Sequence, residues 1–200
     1  MILAGLVLGG CSPVRTRSLE DALSTKAYQA RVDKLGANQN WSLRGRLAIS
    51  DGKEGGSGNL TWSKVGQKTL MSFRGALGKS AWQLQSDATG ARLELANGTV
   101  SFAPTVRELV VERVGWKVPV DALEWWIKGL AQPGNWAART LDQEGRLTEL
   151  QQSGWDVKFA DYTGQNDASL PKKLTARRGP YVVKMVVREW TLVPEDLAIE

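Results

Sequence analysis

Few residues in this chain could do covalent or acid–base chemistry. It has one cysteine, Cys11, and no histidine, which removes the commonest general base and the commonest metal ligand. A lone thiol forms neither an internal disulfide nor a metal site, and a histidine-based triad is impossible. Ser–Lys chemistry is compatible with the composition, but no spacing points to it. The run GKEGGSG lies between two strand-like segments, with no helix behind it to receive phosphates. Glu94, Asp121 and Glu124 are scattered and read as solvated surface. The expectation is a protein that is not an enzyme and uses no cofactor or metal.

Cys11 itself sits in LVLGGCSPVRTR, after an apolar run and before a basic stretch. Leu8-Gly9-Gly10-Cys11 matches the bacterial lipobox, in which the cysteine receives lipid and becomes the mature N-terminus. The competing readings are a misplaced start codon and a buried N-terminal segment. Residues 1–10 then read as a signal peptide whose basic start is missing, and residues 11–18 as a lipidated tether. The residue after the cysteine is Ser12 rather than Asp, which implies export to the outer membrane. No later segment approaches the roughly eighteen apolar residues of a membrane span.

The elements that follow are mostly strands. Ser18 and Asp21 resemble a capping box opening a helix to about Leu35, with Leu19, Leu23, Ala27 and Ala30 as its apolar stripe. From Trp41 the period changes to two. Trp41, Leu43, Leu47 and Ile49 alternate with polar or small residues, as in a half-buried antiparallel strand. Further strands are read around Leu60 and Trp62, Met71 and Phe73, Trp82 and Leu84, and Leu93 and Leu95, joined by turns such as Asn97-Gly98. Thr105 and Glu108 form another capping box before Val106, Leu109, Val110 and Val114, with Gly115 ending that helix. Pro119 precedes a second helical spacing, Val120, Leu123, Trp126 and Leu130. Strands resume at Leu147–Gln152, Trp155–Phe159, Lys172–Ala176 and Tyr181–Trp190. The total is nine or ten antiparallel strands in one domain with two helices inserted in mid-chain. A sheet of that length must curl to bury a face, so a barrel or half-barrel is expected, with the helices over its mouth.

Nine tryptophans stand against three Phe and three Tyr. Trp41, Trp62, Trp82, Trp155 and Trp190 alternate with polar residues and so point inward. RNA binding would want aromatics interleaved with charge on one exposed sheet face, so no nucleic-acid partner is expected. The inward row is most simply a core, but a curled sheet lined with large aromatics can also enclose an apolar ligand. The net charge of +5 is spread along the chain and favours an acidic partner or anionic surface. The cluster Lys172, Lys173, Arg177, Arg178 reads first as a solvated hairpin, with lipid head groups or an acidic protein as the alternative. In FRGALGK, Leu77 sits at a strand tip between Ala76 and Gly78. Such a leucine folds back on its sheet or, flanked by Arg74 and Lys79, enters a bilayer surface.

Taken in order, the lipobox cysteine, WSLRGRLAI, ALG, VPVDALEWWIKGL and GWDVKFADY resemble the LolB family. The resemblance runs from about Cys11 to Trp190. It implies an incomplete antiparallel β-barrel over residues 19–190 with helices as a lid, followed by a tail, 191–200, outside the pattern. It implies an outer-membrane lipoprotein, lipid-anchored and facing the periplasm, working without ATP and as a monomer. Such a protein takes lipoproteins from a LolA-type carrier, holds their acyl chains in an apolar cavity and inserts them into the inner leaflet. Cys11 is then the lipidation site, and Leu77, with Ala76 where the family has proline and with Gly78, the membrane-insertion loop. The cavity candidates are Trp41, Leu43, Leu47, Trp62, Met71, Phe73, Trp82, Leu84, Trp155 and Val157. Val106, Leu109, Val110, Leu123, Trp126 and Ile127 are the lid candidates, which would occupy the cavity when empty. The alternative is a structural or protein-binding envelope lipoprotein with the same half-barrel and no acyl cavity.

Overall fold

The structure, a computed structural model, describes residues 14–75, 80–164 and 168–192, with side chains from residue 19 onward. Cys11, Ala76, Leu77 and Gly78 lie outside the described residues, as does the tail after Leu192. The first element is a helix, α1 (Val14–Ala37). It is followed by six strands: β1 (Asn40–Ser50), β2 (Gly55–Val65), β3 (Lys68–Gly75), β4 (Ala81–Asp87), β5 (Gly90–Leu95) and β6 (Val100–Ala103). Then come α2 (Val106–Leu109), a π-helical turn at Val110–Val114, and α3 (Val120–Trp126). The last strands are β7 (Ala137–Leu141), β8 (Leu147–Gln152), β9 (Trp155–Tyr162), β10 (Pro171–Arg178) and β11 (Tyr181–Leu192).

All strands join one eleven-stranded sheet in the order β6-β5-β4-β3-β2-β1-β11-β10-β9-β8-β7. Every neighbouring pair is antiparallel, and no pairing joins β6 to β7. The barrel is therefore incomplete, as expected, and the helical segment 106–126 connects its two free edges in sequence. The two strands that the alternation does not reveal are those edges. β6 and β7 are only four and five residues long, and each buries little, so neither carries a clean in–out pattern.

The inward side of the sheet is built as the tryptophan alternation requires. Trp41, Leu43 and Leu47 on β1 and Leu60 and Trp62 on β2 are buried. Between them Gly45 and Gly58 mark places where neighbouring backbone comes too close for a side chain. A Cβ on Gly45 would meet the Val186 carbonyl oxygen, at the bulge where β1 shifts register against β11. One on Gly58 would meet the Arg74 carbonyl and, at 2.7 Å, the Phe73 ring. Bulge and glycine together let the sheet bend sharply enough to wrap.

The first helix departs from the expectation in two ways. It is already under way at Val14, so Ser18 lies inside it rather than at its cap. Its docking stripe is not Leu19, Leu23, Ala27 and Ala30: Leu19 and Leu23 are 62% and 66% exposed. The buried positions are Tyr28, Arg31 and Leu35, a spacing of three and four that puts them on one face. This C-terminal half docks on the rest of the domain. There the Tyr28 hydroxyl accepts from Ala131 N at 3.0 Å, and Arg31 Nη2 donates to the Ser169 carbonyl at 2.8 Å. The Arg31 guanidinium also lies 5.5 Å from the centre of the Tyr162 ring, which makes a buried cation tolerable.

The mid-chain helices carry the expected caps. Thr105 Oγ1 accepts from Glu108 N at 3.3 Å, and Gly115 closes the π-helical turn in the left-handed region at φ 76°. Pro119 stands at the N-terminus of α3, and Gly129 ends it at φ 72°.

Candidate functional site

The candidate site is the interior that the sheet and the mid-chain helices share. Every cavity candidate, from Trp41 to Val157, is buried in a single continuous apolar cluster. Leu109, Val110, Leu123, Trp126 and Ile127 are buried in the same cluster, and Val106 packs against it half-buried. The helical side chains thus fill the space that the curved sheet leaves. Trp126 is fully buried, with its ring centroid 6.1 Å from that of Trp155 on β9. Its Nε1 donates to Gln152 Oε1 at 3.0 Å, and the same oxygen accepts from Gln132 N at 2.9 Å. This contact ties the end of α3 to β8.

The aromatic residues divide into groups. Trp41 meets Trp62 edge-on at 5.3 Å between centroids and Trp190 at 5.9 Å. Trp190 itself is only half-buried, and its Nε1 donates to the Pro171 carbonyl at 3.3 Å. Across the sheet, Phe73 and Trp82 stack at 5.7 Å, and Trp116 stands edge-on to both. Trp116, just after the π-helical turn, has no strand or helix periodicity to mark it. Trp136, by contrast, is 77% exposed beside the free edge β7.

Polar groups in this region correct the sequence reading of Glu124. It is not solvated surface: its carboxylate lies 2.6 Å from Lys64 Nζ, and both side chains are about four-fifths covered. Beside them lies Lys128, which the sequence reading passed over. It is 1% exposed, with Nζ 4.8 Å from the centre of the Trp125 ring and no hydrogen-bond acceptor. Burial lowers its pKa from 10.5 to about 8; the Glu124 carboxylate opposes the shift, and the Lys64 ammonium adds to it. The signal in the sequence was a single charge in the otherwise uncharged run WWIKGLA.

An open groove lies elsewhere. It measures about 1050 Å³ and lies against β2–β6, where Leu70 and Phe102, both exposed, line it together with Lys68, Gln85, Asp87 and Arg92. Its lining mixes charged and polar side chains with apolar ones, unlike the apolar interior. We therefore place the site inside the sheet and not in this groove. Lys172, Lys173, Arg177 and Arg178 are exposed, as a solvated hairpin would have them, with Lys173 paired to Asp161 and Arg178 lying 5.0 Å from the centre of the Trp155 ring.

An open antiparallel sheet folded round an apolar interior, with helices supplying part of the filling, places this chain among the incomplete β-barrels. A solved LolA superfamily protein from Nitrosomonas europaea shares this fold with a TM-score of 0.53 at 8% identity, over 88% of this chain and 97% of its own. The family described as "Outer membrane lipoprotein LolB" matches residues 39–190. Outer-membrane lipoproteins LolB of Alkalilimnicola ehrlichii and Pseudomonas putida are 34% and 32% identical to it, over 96% and 92% of this chain and 95% and 90% of their own. The chain belongs to the LolB family, and it is accordingly an outer-membrane lipoprotein.

Proposed function

We propose that this protein receives acylated lipoproteins from a LolA-type carrier, holds their acyl chains in the interior of the half-barrel, and releases them into the inner leaflet of the outer membrane. The observation that carries this reading is the continuity of the apolar cluster between the sheet and the mid-chain helices. A sheet closed on itself would leave helices outside. Here the side chains of Leu109, Val110, Leu123, Trp126 and Ile127 stand where a ligand would go. They act as a lid whose apolar face substitutes for the acyl chains when none is bound.

The energetics require no ATP. Each acyl CH₂ withdrawn from water contributes roughly 0.8 kcal/mol, so a chain must stay covered throughout its passage. Transfer runs downhill if the interior holds the chains better than the carrier does and less well than the bilayer. Anchorage at Cys11 keeps the receptor at the destination membrane, which makes the last step local. Membership of a lipoprotein receptor family supports this non-enzymatic role.

Leu77 is assigned to release, as an apolar tip that enters the bilayer between Arg74 and Lys79. Leu77→Glu is expected to leave uptake from the carrier intact. It should slow delivery from the loaded receptor into liposomes by about tenfold or more, the scale of one buried leucine exchanged for a carboxylate. Unchanged delivery by a folded Leu77→Glu protein would remove the loop from the mechanism.

A further inference from the structure

Among the described residues, Lys128 Nζ and the indole nitrogens of Trp41, Trp62, Trp82 and Trp155 are buried side-chain polar atoms without a hydrogen-bond partner. All of them are donors. Proteins normally satisfy such groups, and an unpaired buried ammonium is the costliest kind to leave. Lys128 could have turned outward, since a lysine stem is long enough to carry its charge to water. Instead it stays 1% exposed, covered by Trp125, whose ring in turn packs on the last turn of α1 near Gly36. The carboxylate that acts on it, Glu124, is already engaged with Lys64 at 2.6 Å. Among the described residues, these buried donors meet no acceptor.

A hydrocarbon chain brings no acceptor, but the head of an acyl chain does. An ester or amide carbonyl has two lone pairs, and a carboxylate has more. We propose that Lys128 is a head-group site: its ammonium receives the carbonyl or carboxylate oxygens at the polar end of a bound acyl chain. The inference rests on the acyl-binding reading above and adds a polar selectivity to it. A hydrogen bond from a charged donor in a covered site is worth more than one in water. The interior then distinguishes acyl groups from plain hydrocarbon, and it fixes which end of the chain lies beneath α3.

The test uses the full chain and three brominated probes that quench tryptophan emission on contact: dibromostearate, its methyl ester, and dibromooctadecane. The unmodified protein should bind the two oxygen-bearing probes about tenfold more tightly than the hydrocarbon, the scale of one charge-assisted hydrogen bond. Lys128→Met should erase that difference while leaving the hydrocarbon's affinity unchanged, and Lys128→Arg, which keeps the charge and donors, should retain most of it. Loss on both oxygen-bearing probes assigns the site to ester carbonyls, as in diacylglyceryl groups; loss on the carboxylate alone assigns it to free fatty acids. If Lys128→Met binds all three as the unmodified protein does, Lys128 is a structural cation on Trp125 and the inference fails while acyl binding stands. If none of the probes quenches either protein, acyl binding itself fails, and the inference with it.

Discussion

Trp126→Ala is expected to weaken the empty protein and to strengthen its hold on an acyl chain. Trp126 is fully buried, packed against Trp155, and hydrogen-bonded to Gln152. Truncating a ring of that size in a core costs about 3–5 kcal/mol, because the surrounding side chains collapse only partly into the space. For an ordinary core residue the loss would end there. On the present account Trp126 also occupies ligand volume, so a bound chain must first displace it. Removing the ring leaves that volume open and removes the cost of displacement. Urea denaturation of the empty protein reads the first effect, and quenching by a brominated acyl chain reads the second. A destabilised variant that also binds the chain more weakly would make Trp126 a fixed wall of the interior rather than part of a lid.

The second large effect runs in the opposite direction. Lys128→Met should stabilise the empty protein by roughly 3 kcal/mol at pH 7, since burial shifts the lysine from 10.5 to about 8 and each unit corresponds to about 1.4 kcal/mol. The sign follows from proton binding. Between about pH 8 and 10.5 the unfolded chain holds this proton and the folded one does not, so stability rises with pH across that window. Below it the full penalty is present. The unmodified protein should therefore gain on the methionine variant as pH rises from 8 toward 10.5, and the gap between them should close. The facing charges, Glu124 and Lys64, remain in both proteins, so the difference isolates Lys128. A constant gap across that range would mean that Lys128 stays protonated in the folded state. A lysine that lowers stability while sitting in a candidate binding interior fits a residue kept for binding rather than for folding.

Much of this molecule can be read from its sequence, for a physical reason. Strands with one wet and one dry face must alternate, and at Trp41, Leu43, Leu47, Leu60, Trp62, Met71, Phe73, Trp82 and Leu84 the alternation and the burial agree. Helix caps are equally local, and Thr105, Gly115 and Pro119 serve where their chemistry places them. What the sequence conceals depends on distant contacts. The edges β6 and β7 bury too little to show a period. In α1, Leu19 and Leu23 look like the docking face, but they are exposed and Tyr28, Arg31 and Leu35 are buried. An arginine inside that stripe reads as solvent-facing until Ser169 and Tyr162 are seen beside it. Glu124 and Lys64 are sixty residues apart and pair only through the fold. The same holds for Lys128, since a lysine after an apolar run is equally suited to snorkel outward.

Acyl chains handed over by a carrier should come to rest in the interior of this protein. The most direct measurement loads a LolA-type carrier with a lipoprotein bearing brominated acyl chains and mixes it with this protein. Tryptophan emission is followed while the label is tracked between the two. The lipoprotein is expected to move to this protein and to quench its tryptophan emission at the same rate, because the chains come to rest against Trp62 and Trp155. Label that stays on the carrier, or transfer that leaves the emission unquenched, would contradict it and return the interior to plain core.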